Sequence, residues 1–422
     1  MILQTVKIPE KINILPQIIN KTIKVAASKS VMQRVIACAI LSEGETVIKN
    51  YSLCDDCKAA LKIAEDLGAE VVIKENQVSI IPGKSKIKNN INCGESGLGV
   101  RMFTPLVSLF GKNFTINGKG SLKKRPVSGI EEALKQAGIK CKTNKGFIPI
   151  EISGKLKGGN FEIDGSLSSQ ILTGLLIALP KAEGNSVIKV INLKSKPYID
   201  LTLSILKDFG IKIINKNYKE FYIKENQKYQ AQNYTIEGDW SGAAFFLVAG
   251  LIAGEVSLTG LNINSEQADI NILEAIQLAE GNLNISENKI TTKKSNLKAF
   301  QFDATDCPDL FPPLVTMAAF CNGETRIKGV KRLIHKESNR AEVLQKEFAN
   351  IGIEISIQND FMTVKGGTVK GGTIHSHNDH RIAMAAAVSA LTSEKGITIK
   401  NAESIKKSYP TFYSDLLGGN FK

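Results

Sequence analysis

Polar and charged side chains open several strongly apolar segments of this 422-residue sequence. Lys29 and Ser30 begin one such segment, residues 168–170 begin another, and residues 378–381 begin a third. If these segments are helices, their first turns carry unpaired N–H groups and a partial positive charge. Lysine, arginine and glutamine side chains at such turns add donors for an anion. The pattern predicts sites for small anions, whereas serine, aspartate and asparagine alone would be ordinary helix caps.

Arginine is rare in this lysine-rich chain, and most of its arginines fall in the motifs described below. Lysine serves for surface charge, so a retained arginine suggests a need for planar, two-point binding of carboxylate or phosphate. The seven arginines are Arg34, Arg101, Arg125, Arg326, Arg332, Arg340 and Arg381.

The elements that would position these residues follow an internal repeat. An amphipathic helix pattern that ends in glycine and continues as an alternating strand recurs at steps of 70, 72, 71 and 71 residues, with its glycines at Gly68, Gly138, Gly210, Gly281 and Gly352. A sixth candidate closes the chain at residues 412–419. A second helix pattern, apolar on nearly all sides, alternates with the first and should be buried. The repeat predicts a β-α-β-α-β-β unit, present six times.

Six such units are too many for one core, so we group them three and three. The first buried helix begins near Ser28, which leaves an N-terminal strand segment without a helix of its own. The sixth unit ends without its closing strands. Pairing the N-terminal strand segment with the incomplete sixth unit predicts a discontinuous domain of residues 1–25 and 237–422, and an inserted domain of residues 26–236.

Composition narrows the class of protein. Hydrophobic residues make up 43% and charged residues 23%, the balance of a globular chain. The longest apolar runs are shorter than the roughly 18 residues that span a bilayer, and the N-terminus lacks the apolar core of a signal peptide. We expect a cytoplasmic protein with no membrane association.

Seven cysteines, an odd number, argue against a disulfide framework, and the C-x-x-C of Cys54 and Cys57 is interpreted as core packing.

The net charge of +13 leaves a nucleic-acid-binding protein as a distant alternative. Against it, the chain has no aromatic-rich basic stretch, zinc pattern or recognised binding motif, so no nucleic-acid partner is expected. His375, His377 and His380 form an H-x-H-x-x-H pattern that could suggest a metal site. We interpret this pattern as a loop that enters the sixth buried helix, and we expect no metal.

Nine motifs, in one order over almost the whole chain, resemble the EPSP synthase family of enolpyruvyl transferases. They are S-K-S-x-x-x-R (28–34), R-P (125–126), D-G-S-x-S-S-Q (164–170), S-K-P-Y-I-D (195–200), E-G-D-W-S (237–241), P-D (308–309), K-E-S-N-R (336–340), N-D-H-R (378–381) and K-S-Y-P (407–410). The resemblance implies an α/β fold, a two-domain inside-out α/β barrel with three β-α-β-α-β-β repeats and buried parallel helices in each domain.

The resemblance also implies transfer of the enolpyruvyl group of phosphoenolpyruvate to the 5-hydroxyl of shikimate 3-phosphate, through a tetrahedral intermediate that releases phosphate. No metal or organic cofactor is expected, and we expect a monomer. An alternative from the same architecture is transfer to UDP-N-acetylglucosamine. The S-K-S, K-E-S-N-R and N-D-H-R motifs favour the shikimate substrate.

The resemblance assigns site residues by motif. Phosphoenolpyruvate would be held by Lys29, Gly97, Arg125, Gln170, Arg340, Arg381 and Lys407. Shikimate 3-phosphate would be held by Lys29, Ser30, Arg34, Ser168, Ser169, Gln170, Ser195, Tyr198, Asp309 and Lys336. The catalytic groups would be Asp309 on the hydroxyl side, Glu337 on the carbon side, and Lys29 in proton transfer, a task that Lys407 could share.

The sequence departs from the family pattern in two places, the loop of residues 95–101 and residue 332. Where the family usually reads N-A-G-T-A-x-R, residues 95–101 read E-S-G-L-G-V-R, so Glu95 replaces an amide and Leu98 replaces a hydroxyl. This puts a direct side-chain role for the loop in doubt, although backbone N–H groups around Gly97 could still bind. Arg332 stands where an asparagine is common, and we expect it near the site.

Overall fold

The computed structural model describes residues 8–166 and 168–418. Within these ranges the α-helices are α1 (Lys29–Leu41), α2 (Asp55–Asp66), α3 (Gly97–Val107), α4 (Ile130–Gln136), α5 (Gln170–Ala178), α6 (Lys196–Asp208), α7 (Trp240–Ala253), α8 (Ile272–Leu278), α9 (Phe311–Ala318), α10 (Arg340–Ala349), α11 (His380–Ala390) and α12 (Phe412–Leu417). Residue 419, the end of the sixth predicted repeat copy, lies outside the described residues.

The strands of the first half of the chain are β1 (Lys11–Ile14), β2 (Ile19–Lys24), β3 (Ser42–Glu43), β4 (Thr46–Lys49), β5 (Glu70–Lys74), β6 (Gln77–Ile81), β7 (Asn90–Asn92), β8 (Phe114–Asn117), β9 (Lys140–Asn144), β10 (Phe147–Ser153), β11 (Asn160–Asp164) and β12 (Ser186–Ile191). Those of the second half are β13 (Ile213–Lys216), β14 (Glu220–Ile223), β15 (Tyr229–Gln230), β16 (Asn233–Thr235), β17 (Gly254–Thr259), β18 (Asn282–Ser286), β19 (Lys289–Lys293), β20 (Gln301–Asp303), β21 (Glu324–Lys328), β22 (Glu354–Gln358), β23 (Phe361–Lys365), β24 (Gly372–His375) and β25 (Ile397–Lys400).

The chain divides into two compact units. One, here the discontinuous unit, comprises Met1–Ala26 and Glu237–Lys422, and the other, here the inserted unit, comprises Ala27–Ile236. The first of these boundaries lies one residue later than the division expected from the repeat.

The inserted unit contains three four-stranded sheets, in the strand orders β16-β4-β6-β5, β7-β8-β10-β9 and β11-β12-β14-β13. In the second of these, β7 runs parallel to β8, and β10 pairs antiparallel with both β8 and β9. Helices α3 and α4 follow β7 and β8 in the chain. This is the β-α-β-α-β-β order that the repeat predicts.

The discontinuous unit has the sheets β18-β19-β17-β2, β20-β21-β23-β22 and β1-β25-β24. The sequence predicted that the N-terminal segment completes only the sixth repeat. In the structure its two strands belong to the sheets of two different repeats. Strand β1 pairs antiparallel with β25 of the sixth repeat, whereas β2 runs parallel to β17 of the fourth. In the inserted unit, β16 takes the corresponding place beside β4 of the first repeat.

One helix of each repeat is buried, as its apolar sequence predicts. All fourteen residues of α7 are buried, and the Asp239 side chain caps the helix by accepting from the Ser241 N–H at 3.0 Å. Helices α7, α9 and α11 pack on one another in the discontinuous unit, and α3 packs on α5 in the inserted unit. The polar residues at the first turns of these helices are thereby held on rigid elements.

The other helix of each repeat ends in a left-handed residue, as the periodic glycines predict. Gly68, Gly138, Gly210 and Gly352 have φ between 72° and 93°. In the fourth repeat the prediction of Gly281 was wrong by one residue, because Glu280 takes the left-handed conformation with φ of 55°. The helix end therefore recurs at 68, 138, 210, 280 and 352, which makes the true steps 70, 72, 70 and 72 residues.

Among the described residues, no helix is both long enough and apolar enough to cross a membrane. Cys54 and Cys57 are fully buried at the start of α2, which agrees with core packing.

Candidate active site

A dense cluster of ion pairs surrounds Arg340, the first residue of α10. The Arg340 side chain is fully buried and contacts three carboxylates. Its Nε donates to Asp379 Oδ2 at 2.9 Å, its Nη1 donates to Asp309 Oδ1 at 2.8 Å, and its Nη2 donates to Glu337 Oε2 at 2.7 Å. Burial alone would lower the pKa of Arg340, but Asp379, Glu337 and Asp309 raise it above the ordinary arginine value.

Asp309 is shared by three cations. Besides Arg340, it accepts from Lys336 Nζ at 3.1 Å and from Arg381 Nη2 at 3.2 Å. Burial alone would raise the pKa of Asp309, but Arg381, Lys336 and Arg340 hold the pKa of that carboxyl well below its usual range. The Asp309 side chain keeps 23% exposure, against none for Arg340, so a ligand can reach it. The structure thus brings together five predicted site residues, Asp309, Lys336, Glu337, Arg340 and Arg381.

Asp379 joins this cluster and was not among the predicted site residues. It is the N-cap of α11, where its Oδ1 accepts from the Arg381 N–H at 3.0 Å. The same carboxylate also pairs with Arg340, so it sets the positions of two arginines at once. Its place in the N-D-H-R motif, before an apolar helix, was the available signal, but of the four motif residues only Arg381 was assigned a role. Lys407 ends a 3-10 turn, Ala402–Lys407, that packs on α11.

The three histidines of the H-x-H-x-x-H pattern have different environments. His377 Nε2 lies 2.8 Å from Glu347 Oε1, and its ring lies 4.6 Å from that of His375. His380 is buried in the first turn of α11. Over the described part of the chain, no three His, Cys, Asp or Glu side chains are grouped so that they could hold a metal ion.

A further acid, Asp269, is buried next to the start of α7. Its Oδ2 accepts from the Ser241 hydroxyl, and its Oδ1 has no hydrogen-bond partner among the described residues. Burial and the negative charge of Asp309 raise the pKa of Asp269 to about 7, an effect that Arg381 partly offsets. No sequence motif points to Asp269, because the residues it contacts are far away in the chain.

Asp269→Asn is expected to stabilise the protein increasingly as the pH rises. The folded protein holds a proton on Asp269 up to about pH 7, whereas an unfolded chain releases it at about pH 4. The free energy of unfolding that this proton contributes in the unaltered protein is fully present at low pH and is lost as the pH rises from about 4 through about 7. Asparagine stays neutral and still accepts from Ser241. Thermal unfolding at about pH 5 to about pH 8 should show a growing difference in Tm, and a constant difference would contradict this.

In the inserted unit, Lys29 and Arg34 lie on the first turns of α1. Lys29 Nζ forms an ion pair of 2.9 Å with Asp56 Oδ2. Arg34 is buried and donates from Nε to Thr202 Oγ1 at 2.9 Å and from Nη1 to the Ser30 carbonyl at 2.8 Å. Burial lowers the pKa of Arg34 to about 10. Arg34 therefore joins α1 to α6.

The Arg34 Nη2 also lies 3.4 Å from the Tyr198 carbonyl, in the first turn of α6. The Tyr198 N–H donates to the Ser195 carbonyl at 3.1 Å, and Ser195 precedes the helix with a left-handed φ of 57°. The structure thus brings Ser30, Arg34, Ser195 and Tyr198 into one set of contacts.

At the start of α5, the cap comes from Ser168 and not from Ser169. Ser168 Oγ accepts from the Gln170 N–H at 3.1 Å, while Ser169, at the N-cap position, makes no side-chain capping bond. Ser169 is nevertheless buried. Its hydroxyl is therefore not needed to begin the helix.

Arg101 links several predicted residues and was not assigned a role from the sequence. Its Nη1 donates to the Gly97 carbonyl at 2.9 Å and to Gln170 Oε1 at 3.2 Å, and its Nη2 donates to the Pro126 carbonyl at 2.6 Å. Burial, together with the charge of Arg125, lowers the pKa of Arg101 to about 9. The residue joins α3, α5 and the segment after Arg125.

The comparisons with known proteins agree over nearly the whole chain. Residues 15–416 match the family model for EPSP synthase (3-phosphoshikimate 1-carboxyvinyltransferase). Proteins named 3-phosphoshikimate 1-carboxyvinyltransferase are 39% identical in Clostridium botulinum (strain Eklund 17B / Type B) and 40% identical in Clostridium acetobutylicum, each over 97% of both chains.

Solved structures agree with the fold. An EPSP synthase from Acinetobacter baumannii superimposes with a TM-score of 0.81 and 26% identity, covering 98% of this chain and 99% of that one. The enolpyruvyl transferase NikO from Streptomyces tendae has a TM-score of 0.78 at 15% identity, covers 98% of each chain, and supports the fold alone. The two-domain α/β fold expected from the motifs is confirmed, and the chain belongs to the EPSP synthase family.

Proposed function

We propose that this protein transfers the enolpyruvyl group of phosphoenolpyruvate to the 5-hydroxyl of shikimate 3-phosphate, giving 5-enolpyruvylshikimate 3-phosphate and phosphate. The family match and the named relatives support this step of the shikimate pathway, which leads to chorismate and the aromatic amino acids. The structural observation that carries the proposal is the Asp309 carboxylate shared by Lys336, Arg340 and Arg381. It combines a proton acceptor with cations suited to anionic substrates.

In the inserted unit, the proposed contacts other than Arg125 lie at the starts of α1, α3, α5 and α6. Arg125 and the backbone of Gly97 would bind phosphoenolpyruvate, together with Gln170, whose amide oxygen is held by Arg101. The shikimate 3-phosphate set comprises Lys29, Ser30, Arg34, Ser168, Ser169, Gln170, Ser195 and Tyr198. Lys29 also serves phosphoenolpyruvate and proton transfer, and its ion pair with Asp56 would orient its ammonium group.

In the discontinuous unit, Asp309 would accept the proton of the attacking hydroxyl. The cations around it keep it ionised at neutral pH, so the carboxylate is free to accept a proton. Glu337 would deliver a proton to the methylene carbon as the tetrahedral intermediate forms. Lys336 would hold shikimate 3-phosphate, and Arg340, Arg381 and Lys407 would hold phosphoenolpyruvate. No metal or cofactor enters these steps, and we propose a cytoplasmic monomer.

Arg381→Lys is expected to raise the KM for phosphoenolpyruvate clearly while leaving folding nearly intact. Arg381 lies in the first turn of α11, and one of its nitrogens already pairs with Asp309 at 3.2 Å. Lysine keeps the positive charge but loses the planar fork that binds an anion in two places. Steady-state kinetics and Tm measure both effects, with Arg326→Lys, at an exposed position, as the control. Unchanged kinetics would remove Arg381 from the proposed site.

The decisive experiment is phosphate release. We expect release only when phosphoenolpyruvate and shikimate 3-phosphate are present together, and not with either alone. Replacing shikimate 3-phosphate by UDP-N-acetylglucosamine tests the related transferase activity. Turnover with the nucleotide sugar, and none with shikimate 3-phosphate, would overturn the proposed function.

A further inference from the structure

The loop before α3 carries Glu95 at a position where an amide is usual in the family. The Glu95 carboxylate faces the 3-10 turn Gly120–Lys124, which ends directly before Arg125. Its Oε2 accepts from the Ser121 N–H at 2.9 Å and from the Ser121 hydroxyl at 2.7 Å. One carboxylate oxygen therefore holds both the backbone and the side chain of a single turn residue.

The turn is shaped to let this carboxylate come close. A Cβ atom placed on Gly120 would lie 2.1 Å from Glu95 Oε1 and 2.3 Å from its Cδ. Gly120 also has φ of +52°, a conformation that residues with side chains rarely adopt. A backbone bond of 2.7 Å, from the Lys119 N–H to the Gly94 carbonyl, joins the same two segments. The loop before α3 and the turn before Arg125 are thus held together at two adjacent points.

The Arg125 guanidinium lies against Gly97, the first residue of α3. A Cβ atom on Gly97 would lie 2.6 Å from Arg125 Nη2 and 2.8 Å from Cζ. The residue after Arg125 is held as well, because the Pro126 carbonyl accepts from Arg101 at 2.6 Å. Arg125 therefore lies between two residues of the chain that are held in place, Ser121 before it and Pro126 directly after it.

We propose that Glu95 is a positioning residue that clamps the turn before Arg125 and so sets the place of the Arg125 guanidinium beside Gly97. The assignment rests on the proposed function, in which Arg125 and Gly97 bind phosphoenolpyruvate. A carboxylate directed at that anion would repel it. Because the Glu95 carboxylate accepts two hydrogen bonds from Ser121, it stabilises the turn and does not contact the substrate directly.

Three variants separate the clamp from a simple charge effect. Glu95→Ala removes both hydrogen bonds, and we expect it to raise the KM for phosphoenolpyruvate about tenfold, because misplaced binding groups weaken binding steeply. Ser121→Ala removes only the hydroxyl bond and should raise it by about threefold. Glu95→Gln keeps an acceptor oxygen for both Ser121 donors, so its KM should stay within about twofold of the unaltered protein. The KM for shikimate 3-phosphate should not change in any of them.

Glu131→Ala is the matched control. The Glu131 carboxylate accepts from both the N–H and the hydroxyl of Thr143, the same kind of clamp in the same unit, and neither residue belongs to the proposed site. In Glu131→Ala we expect the KM for phosphoenolpyruvate and the KM for shikimate 3-phosphate to be unchanged. If Glu95→Ala leaves or lowers the KM for phosphoenolpyruvate, or raises both KM values equally, the clamp is refuted. Absence of turnover in the unaltered protein would refute the proposed function instead, which keeps the two failures distinct.

Discussion

Arg340→Met is expected to abolish detectable turnover and to destabilise the protein by about 3–5 kcal/mol, because it leaves buried carboxylates without their cation. The side chains of Arg340 and Asp379 are both fully buried, and those of Glu337 and Asp309 are 10% and 23% exposed. Three negative charges would then lie close together without the cation they share, although Asp309 would keep its contacts with Lys336 and Arg381. Chemical denaturation at neutral pH measures the loss.

The loss in Arg340→Met should shrink in acid. Carboxylates that lose their cation have raised pKa values, so protonation relieves the repulsion as the pH falls. Arg326→Met provides the control, since Arg326 is exposed and its guanidinium carbon lies 4.8 Å from the centre of the Phe361 ring. A stability loss in Arg340→Met no larger than that of the control would show that the buried cluster is not what holds α10 and α11 in place.

Asp309→Asn is expected to lower kcat by about 10²- to 10⁴-fold, the usual contribution of a general base. The substitution preserves the size of the side chain but removes its ability to accept a proton. The pKa of Asp309 lies well below its usual range, so the unaltered enzyme should show no loss of kcat from this group between about pH 5 and pH 8. The stability that its ionised form contributes is present in the same range and is lost only as the pH falls through the depressed pKa.

Asp303→Asn is the matched control for Asp309→Asn. Asp303 also pairs with a lysine of the discontinuous unit, Lys328 at 2.9 Å, but both side chains are about half exposed. We expect its kcat to equal that of the unaltered protein. A rate loss of less than about threefold in Asp309→Asn would exclude Asp309 as the base and favour Lys29 or Lys407 for that proton.

The fold could be predicted well because the sequence patterns that indicate it are local. Apolar periodicity and the glycines after helices depend on residues a few positions apart, so the repeat was visible without any long-range information. Its one misplacement, Gly281 for Glu280, arose because glycine is the usual left-handed residue but not an obligatory one. The division of β1 and β2 between two sheets depends on partners more than 200 residues away, and no local pattern reports it.

The candidate site was predictable as a set of residues but not as a network. The motifs named Asp309, Arg340 and Arg381, yet the pairing of Asp309 with Arg381 spans 72 positions of sequence. Arg101 and Asp269 were missed for the same reason, since their importance comes from tertiary contacts, and the pairing of Asp379 with Arg340 is equally invisible in its motif. Whether Ser168 or Ser169 caps α5 depends on backbone angles that a sequence pattern does not determine.

The placement of β1 and β2 has a consequence for protein synthesis. Every sheet of the inserted unit uses only strands between β3 and β16, so it can be completed once residue 236 has left the ribosome. Strand β1 is made first but pairs with residues 397–400. At about 5–20 residues per second, it waits roughly 20–80 seconds for its partner. Until residues 397–400 are made, β1 lacks its partner strand, and the lysines at positions 11, 21 and 24 of β1 and β2 would disfavour pairing of these strands with another chain.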